Sequence, residues 1–332
     1  MDASLRDLVP IPRVWDRLER VETRLYEATT SEDPFLTDIA QHLVRAGGKR
    51  YRPLLAQVAA ELGPAEGGEP VEAGVAVELI HIGSLYHDDV IDEADSRRGA
   101  TSVNANWTNT VAILAGDFLL ARASEVAAPL GTEAVELLAR TYARLCEGQI
   151  LELQLSDDLD HGPEEYYRVI GDKTASLIRT SARLGAMAGG ASRDVIEAAS
   201  AWGYEAGLVF QLADDVLDLV ADEQFLGKPT GSDIREGTFT LPVLHALAGR
   251  DGGRVRALLE RERPYDDDTV RSVIELVRSG GHVEAALAET EAHLEAASSA
   301  IDGLPDGDVT KVFRSLADYL VDRTALARRS GG

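Results

Sequence analysis

The sequence predicts an all-α fold, and two observations support this prediction. Apolar residues recur at steps of three and four nearly everywhere, as at Val14, Leu18 and Val21, which is the period of one helix face. The alternation of apolar and polar residues that marks a half-buried strand is absent. With 332 residues, of which 45% are hydrophobic, the chain is long enough to bury a large core.

The predicted helices form one domain over residues 1–332, because no Pro- or Ser-rich linker divides the chain. The motifs described below lie in a core of about residues 47–242, and a helical C-terminal part follows at 243–332. The segment 222–238 is long for a connection between helices. Connections of that length are usually functional.

Composition excludes several classes of function. A formal net charge of −24 makes the chain a poor partner for nucleic acid and for anionic lipid surfaces. The N-terminus has no targeting pattern, and no run of 18 apolar residues could span a membrane. Cys146 is the only cysteine, which excludes an intrachain disulfide and a thiolate metal site. These features favour a cytoplasmic protein.

The pattern DDxxD occurs twice, each time inside an apolar stretch. Its six carboxylates are Asp88, Asp89, Asp92, Asp214, Asp215 and Asp218. Carboxylates four residues apart lie on one helical face, about 6 Å apart along the axis. Such a concentration of negative charge requires cations, and ligands that are all oxygen favour Mg²⁺. Because Mg²⁺ commonly binds together with phosphates, the motifs point to phosphate chemistry.

Each motif continues a polar stripe along a predicted helix that is otherwise apolar. The first stripe is His81, Ser84, Asp88 and Asp92, within a helix predicted to reach Gly99. The second stripe is Gln211, Asp214, Asp215 and Asp218. Helix capping and a solvated acidic face are the alternatives, but the motifs lie within the helices and have apolar neighbours. Unpaired buried carboxylates are costly, so both stripes should face a polar cavity.

Two other acidic clusters have simpler interpretations. Asp157, Asp158 and Asp160 precede His-Gly-Pro, where a helix ends. The run of aspartates at 266–268 precedes Thr-Val and should cap the next helix, whose N-terminus favours negative charge. Neither cluster is predicted to bind metal.

Lysine is scarce, and its positions are informative. Of the 33 basic residues only four are Lys: Lys49, Lys173, Lys228 and Lys311. The first three lie in Gly-containing, loop-like segments, GGKRYRP, GDKTAS and GKPTGSD. Where Arg is otherwise preferred, a retained Lys indicates a need for a compact ammonium group. Chance could explain any one of them, but the three together favour a binding function.

Six segments in order make the chain resemble the trans-isoprenyl diphosphate synthases, also called polyprenyl synthetases. The segments are GGKRYRP (47–53), ELIHIGSLYHDDVIDEADSRRG (78–99), AGDFLLARA (115–123), DKTASL (172–177), FQLADDVLDL (210–219) and GKPTGSDIREGTFTLP (227–242). The resemblance implies the all-α isoprenoid synthase fold, a single large helical domain around a central cavity between two aspartate-bearing helices. It also implies a homodimer and a prenyltransferase, similar to the medium- and long-chain polyprenyl diphosphate synthases.

The resemblance further implies residue roles. With substrate bound, three Mg²⁺ ions would be held by Asp88, Asp92, Asp214 and Asp218. Asp89 and Asp215 would lie in or near that shell, and Lys173 would act with the six aspartates in catalysis. The implied contacts to the allylic diphosphate are Arg97, Lys173, Thr174, Gln211 and Lys228. The implied contacts to isopentenyl diphosphate are Lys49, Arg52, His81 and Arg98.

The sequence departs from the family pattern at one position. The segment that often reads GKxTLP in the family is GTFTLP here, with Thr238 where a Lys is expected. The departure removes one predicted contact to the allylic diphosphate. Arg235 is the predicted compensation.

Product length is predicted from the residues that precede the first motif. Gly83 and Ser84 lie one turn before Asp88, where bulky aromatic residues in the family close the pocket. Both are small here, so the pocket should be open at this level, with Tyr86 narrowing it from another angle. No insertion lies between Asp89 and Asp92, which argues against a bacterial farnesyl-type enzyme. We therefore expect products longer than geranylgeranyl, for a quinone side chain, with a geranylgeranyl or farnesyl diphosphate synthase as the alternative.

Other functions remain open at this point. The chain could be the partner-dependent catalytic subunit of a heteromeric synthase, although it keeps all six aspartates, which regulatory subunits typically lose. A terpene cyclase of the same fold would normally lack the second DDxxD and the GGKRxRP segment. A purely structural helical protein would not need the polar stripes.

Overall fold

The computed structural model describes residues 3–221, 229–304 and 307–330, and the regular secondary structure of these residues is helical apart from one small hairpin. The predicted all-α class is confirmed. The helices before the second motif are α1 Ala3–Leu8, α2 Pro12–Ala28, α3 Pro34–Ala40, α4 His42–Arg45, α5 Tyr51–Ala60, α6 Glu69–Ile91, α7 Val103–Asn106, α8 Asn109–Ala127, α9 Thr132–Leu155, α10 Pro163–Ile170 and α11 Ser176–Ala188. Those that carry and follow it are α12 Arg193–Val220, α13 Ser232–Glu236, α14 Leu241–Ala248, α15 Gly252–Leu259, α16 Asp267–Ser279, α17 His282–Ala300 and α18 Asp308–Ser330.

Three short elements complete the secondary structure of the described residues. A 3₁₀ turn covers Ala128–Leu130, and a π-helical segment covers Gly171–Ala175 between α10 and α11. Strands β1 (Ser96–Arg97) and β2 (Ala100–Thr101) pair in antiparallel fashion.

One compact unit comprises Met1–Tyr142, Leu177–Gly203 and Gly303–Phe313. Its central helix is α6, against which α2, α5 and α8 pack. Residues on every side of α6 are buried, as the apolar sequence around the first motif predicts. The helix therefore holds the first motif in a fixed position within this unit.

Helix α6 ends earlier than the predicted Gly99. It ends at Ile91, and Asp92 is its C-cap residue. The backbone then turns into the hairpin, in which Arg98 and Gly99 both have positive φ, at 55° and 75°. Two-residue hairpin turns require such angles, and they match the twist of the flanking strands. The early helix end thus brings Arg97 and Arg98 onto a rigid hairpin instead of a helix.

The second compact unit comprises Ala143–Ser176, Tyr204–Asp302 and Arg314–Gly332. Its core forms around α12, from which Leu208, Leu212, Val216 and Leu219 pack with apolar residues of α10, α14, α16 and α17. The spacing of these four residues is that of one helix face. The second motif lies on the same helix, so this core fixes its position.

Among the described residues, no helix is both long enough and apolar enough to cross a membrane. The single-domain prediction stays a prediction.

Candidate active site

A cation cluster lies where the N-terminus of α5 meets α6, and it consists of Arg50, Arg52 and Arg98 around His81. Nη1 of Arg52 is 3.4 Å from Nε2 of His81, which lies about two turns before the first motif. The buried Glu78 pairs with both Arg50 and Arg98: its Oε1 lies 2.9 Å from Nη1 of Arg50 and 3.6 Å from Nη2 of Arg98. Arg50 also pairs with Glu22, so the three guanidinium groups around these two carboxylates leave a local excess of positive charge.

The loop that carries Lys49 is shaped by left-handed backbone conformations. Gly47, Gly48 and Arg50 have φ of 77°, 149° and 51°. A Cβ on Gly48 would lie only 3.0 Å from the guanidinium carbon of Arg98. Glycine is therefore required here both for its conformation and for the close approach of Arg98. The loop leaves Lys49 exposed beside the cluster.

Burial and mutual repulsion lower the pKa values of Arg52 and His81 in the cluster. Burial, together with nearby Arg98 and against the effect of Glu78, lowers the pKa of Arg52 to about 10. Burial and then the surrounding guanidinium groups hold the pKa of His81 well below its usual value, so this imidazole is neutral at pH 7. Nε of Arg52 is buried and has no hydrogen-bond partner among the described residues. A bound anion would relieve the repulsion and supply an acceptor.

The three aspartates of the first motif have different surroundings. Asp88 is half-buried, Asp92 is exposed at the helix end, and Asp89 is fully buried. Nε of Arg97 donates a 2.6 Å hydrogen bond to Oδ1 of Asp89. Burial raises the pKa of Asp89, while the bond from Arg97 lowers it. Oδ2 of Asp89 has no partner among the described residues.

In the second motif, Asp214 is exposed and Asp215 is held by protein donors. The hydroxyl of Tyr166 donates to Oδ2 of Asp215, and Nε2 of Gln211 donates to Oδ1 at 2.8 Å. Burial raises the pKa of Asp215 to about 7, against the effect of these two hydrogen bonds. Both oxygens of this carboxylate are therefore occupied without a metal.

Asp218 caps the short helix α13. Its side chain is 1% exposed, and its two oxygens accept the backbone N–H groups of Ser232 and Asp233, each at 3.3 Å. The backbone carbonyl of Asp218 also accepts the N–H of Gly231, at 2.9 Å. The last aspartate of the second motif thus ties the segment after residue 229 to α12.

Lys173 lies in the π-helical segment, which corrects the expectation of a loop at this position. Its Nζ donates to Oε2 of Glu152 on α9. The neighbouring Thr174 donates through Oγ1 to Oε1 of Gln211, at 2.9 Å. Single π-helical turns are often found at functional sites, since they redirect side chains within a helix.

Comparison with known families shows which chemistry these residues serve. The family model described as polyprenyl synthetase matches residues 33–277. The chain belongs to the polyprenyl synthetase family. As a member of this family it is a prenyltransferase, and the predicted family is confirmed.

Individual relatives agree with this assignment. This polyprenyl synthetase is 41% identical over 324 residues to a nonaprenyl diphosphate synthase of Mycobacterium tuberculosis, with 96% of each chain covered. It is similar to the structure of a polyprenyl synthase from Caulobacter crescentus, with a TM-score of 0.89, 34% identity, and 96% and 97% of the two chains covered. It is also similar to a geranylgeranyl pyrophosphate synthase from Corynebacterium glutamicum, with a TM-score of 0.84, 41% identity, and 97% and 98% covered. Both structures contain calcium and isoprenyl diphosphate.

The donor set of this polyprenyl synthetase fits Mg²⁺ that arrives with a diphosphate. Over residues 3–221, 229–304 and 307–330, no three His, Cys, Asp or Glu side chains converge into a metal site. Mg²⁺ sites of this kind typically use one or two carboxylates and complete their coordination with substrate phosphates and water. Asp88, Asp92 and Asp214 are accessible carboxylates, and the unpartnered oxygen of Asp89 marks a place that a cation would satisfy.

The expectation of an open pocket at Gly83 is wrong for the structure. Gly83 is buried against α8, and a Cβ at this position would lie 3.2 Å from the carbonyl oxygen of Gly116 and 3.3 Å from Leu120. Its small size therefore permits close helix packing. Ser84 is half-buried, and its hydroxyl donates to the carbonyl of His81. The role of both residues in product length stays a prediction.

Tyr86 and Arg235 are engaged in other contacts. The Tyr86 hydroxyl is fully buried and donates to the carbonyl oxygen of Ile39 at 2.7 Å, so this residue anchors α6 to α3. Arg235, the predicted compensation for Thr238, pairs with Asp267 at 2.9 Å. Lys228 lies outside the described residues.

Sequence reasoning missed three polar residues at the site. They are Glu78, Glu152 and Tyr166. Glu78 lies three residues before His81, on α6 itself, and an acidic residue in such an apolar helix is a signal that could have been followed. Tyr166 and Glu152 carry no comparable signal, because their partners are distant in sequence.

Proposed function

We propose that this chain is a Mg²⁺-dependent polyprenyl diphosphate synthase. It condenses isopentenyl diphosphate with an allylic diphosphate, head to tail and with trans geometry, to make a product longer than geranylgeranyl. The observation that carries the proposal is the cation cluster, in which Arg52 and Arg98 lie near the neutral imidazole of His81 and which the family's second diphosphate would occupy. A protein that bound only one diphosphate would not need a cation-rich site separate from its carboxylate motifs.

The cluster is assigned to isopentenyl diphosphate. Arg52 and Arg98 supply fixed positive charge, and the neutral imidazole of His81 can donate one hydrogen bond without adding to the repulsion. Exposed Lys49 adds an ammonium group at the edge of the cluster. A diphosphate bound here gains from donors that are held in place before it arrives, which lowers the entropy lost on binding.

The allylic diphosphate is assigned to Lys173, Thr174, Gln211, Arg97 and Lys228. Arg97 is held by Asp89 within its own unit, and Lys173 is held by Glu152 within the other. Each of these two cations is therefore held in position by a carboxylate partner. Asp88, Asp92, Asp214 and Asp218 are the proposed metal ligands, and the accessible first three support the assignment most directly.

The proposed reaction begins with cleavage of the allylic C–O bond, which leaves a carbocation and a diphosphate. When bound, Mg²⁺ supplies positive charge for the departing diphosphate. Lys173 and Arg97 stabilise the same developing negative charge. The double bond of isopentenyl diphosphate attacks the carbocation, and a proton is lost from the adjacent carbon to the released diphosphate. Water must be excluded, because it would quench the cation.

Product length rests on the sequence before the first motif and on the relatives. The nonaprenyl diphosphate synthase of Mycobacterium tuberculosis and the geranylgeranyl pyrophosphate synthase of Corynebacterium glutamicum are each 41% identical to this chain. The small side chain of Ser84, one turn before Asp88, favours the longer product, which would suit a quinone side chain. The second relative makes a geranylgeranyl product the specific alternative.

We also propose that the protein is a cytoplasmic homodimer and that its product partitions into membranes. Helix α8 supports the dimer, because Ile113 and Leu114 on its outer face are 44% and 61% exposed. Adjacent exposed apolar side chains on one helix favour burial against another chain.

The test is incubation with isopentenyl diphosphate, Mg²⁺ and, in separate reactions, dimethylallyl, geranyl, farnesyl and geranylgeranyl diphosphate, followed by analysis of product length. We expect elongation beyond 20 carbon atoms by the chain alone. A product of 20 carbon atoms or fewer would reject the long-chain assignment. Absence of any product, with activity restored by a second subunit, would support the partner-dependent synthase.

A further inference from the structure

Tyr166 is a buried tyrosine whose hydroxyl reaches the second motif. It lies on α10, its side chain is 5% exposed, and its ring packs in the core around α12. Its hydroxyl donates to Oδ2 of Asp215, a residue 49 positions away. No role in the proposed reaction has been given to this tyrosine.

The bond to Tyr166 is the first of three linked hydrogen bonds. Asp215 also accepts from Nε2 of Gln211 at 2.8 Å, and Oε1 of Gln211 accepts from the hydroxyl of Thr174 at 2.9 Å. All four residues belong to the second compact unit. The three bonds end beside Lys173, one residue before Thr174.

The acceptor Asp215 fixes the direction of these bonds. Both of its oxygens accept hydrogen bonds, Oδ2 from Tyr166 and Oδ1 from Nε2 of Gln211, so the amide of Gln211 turns its NH₂ group toward Asp215. Its carbonyl oxygen then faces Thr174, which must donate. The orientation of one carboxylate therefore determines the orientation of two side chains that the proposed function assigns to the allylic diphosphate.

The bonds also join two helical stretches at two points. Tyr166 and Thr174 lie on one continuous stretch formed by α10 and the π-helical segment, and Gln211 and Asp215 lie on α12. The π-helical segment departs from regular helix geometry, so its side chains depend on such contacts for a defined position.

We propose that Tyr166 is a positioning residue for the allylic part of the site. Its hydroxyl holds Asp215, which holds Gln211 and, through it, Thr174 beside Lys173. This inference rests on the proposed function, because that function assigns Lys173, Thr174 and Gln211 to the allylic diphosphate. Asp215 acts in this arrangement through its neighbours.

The neighbouring tyrosine provides a matched control. The hydroxyl of Tyr167 donates to Oε2 of Glu289 at 2.7 Å, and Glu289 also lies 3.0 Å from Nε2 of His245. Replacing either tyrosine by Phe removes one hydroxyl that bonds to a carboxylate, and the ring is kept. Only the Tyr166→Phe change breaks a bond to Asp215.

The experiment compares the wild type, Tyr166→Phe and Tyr167→Phe as full chains. Binding of farnesyl thiolodiphosphate, in which sulfur replaces the oxygen of the scissile bond, is measured by calorimetry with Mg²⁺, and the kinetic constants are measured for both substrates. Because the lost hydrogen bond to a carboxylate contributes roughly 1.5 kcal/mol, Tyr166→Phe should weaken binding of the analogue and should lower kcat, each by about tenfold. KM for isopentenyl diphosphate should stay within about twofold, as should all constants of Tyr167→Phe.

A double-mutant cycle with Thr174→Val tests the linkage itself. If Tyr166 acts through Thr174, the two substitutions together should weaken analogue binding by less than the product of their separate effects. Independent effects of the two substitutions on analogue binding would overturn the proposal. It would also be overturned if Tyr166→Phe had the same analogue affinity and kcat as Tyr167→Phe, or if it lowered only the melting temperature. Affinity for the analogue can be compared among the variants even if the wild type forms no product. A failure of the proposed function would therefore be distinguished from a failure of this inference.

Discussion

The two regions that carry the DDxxD motifs share a sequence pattern but differ in how far their polar groups are satisfied. Around the first motif, Oδ2 of Asp89 and Nε of Arg52 are buried without hydrogen-bond partners among the described residues. Around the second motif, Asp215 and Asp218 accept hydrogen bonds on both oxygens. The first region gains most from a ligand, whereas the second is organised before a ligand binds.

The difference shows that a repeated motif need not have repeated roles. In both regions the leading aspartate, Asp88 or Asp214, is accessible. The remaining aspartates of the second motif connect α12 to α10 and α13. A motif defined by spacing therefore identifies the helix face, while the contacts of each carboxylate determine its function.

The largest expected effect tests what the two regions share. Asp88→Ala and Asp214→Ala should each lower kcat by about a thousandfold or more, because a metal ligand supports several kcal/mol of charge stabilisation in the transition state. Steady-state kinetics measures the loss, and circular dichroism confirms that the helices persist. Near-normal turnover of either variant would refute the metal assignment. It would also show that the accessible leading aspartates of the two motifs have no common role.

The cation cluster of the first region provides the next test. Lys49→Ala should raise KM for isopentenyl diphosphate by about tenfold, since it removes one charge-assisted hydrogen bond. KM for the allylic substrate should change by less than about twofold, a change too small to indicate a lost contact. Lys311→Ala, which removes an exposed lysine paired with Asp308, is the control. The opposite pattern of KM values would reverse the assignment of the two diphosphates.

The last aspartates of the two motifs should differ in their effect on stability. Asp218→Ala removes the acceptor for two backbone N–H groups of α13 and should lower the free energy of unfolding by about 1–2 kcal/mol. Asp92→Ala changes an exposed residue and should stay within about 0.5 kcal/mol. Urea unfolding monitored by circular dichroism measures both. Equal losses in the two variants would mean that the motifs are structurally equivalent.

The smallest effect concerns the pH dependence of stability. Because the pKa of His81 is lowered in the folded protein, the unfolded chain binds the extra proton first as the pH falls below about 6.5. The wild type should therefore lose stability as the pH falls from 7 to 5. His81→Gln should lose less over the same range, as measured by urea unfolding at each pH. Parallel curves would show that His81 is not held neutral by the cluster.

Much of this arrangement could be predicted from the sequence. Helical spacing identified α6 and α12, the scarcity of lysine indicated a binding function for Lys49, and the family resemblance implied the diphosphate contacts of Arg52 and His81. These signals are local, since they depend on neighbours within one or two turns. Arg52 and His81 of the cluster lie on α5 and α6, which are consecutive in the sequence, and Arg98 follows on the hairpin.

The remainder depended on contacts that spacing does not encode. The Tyr166 hydroxyl and Asp215 are 49 residues apart, and the pairing of Lys173 with Glu152 spans 21 residues. Gly83 could be seen to be small, but only the position of α8 shows what its small size permits. The end of α6 at Ile91 likewise follows from the hairpin, whose turn is set by Arg98 and Gly99.

The cation cluster also affects how substrates reach the protein. At long range a diphosphate meets a chain with a net charge of −24, which slows its approach. Dissolved salt screens exposed charges over about 10 Å at 0.1 M but screens partly buried charges such as Arg52 and Arg98 much less. Moderate ionic strength therefore reduces the repulsion more than the attraction, and encounters with anionic substrates should be more frequent at about 0.1 M salt than in dilute buffer.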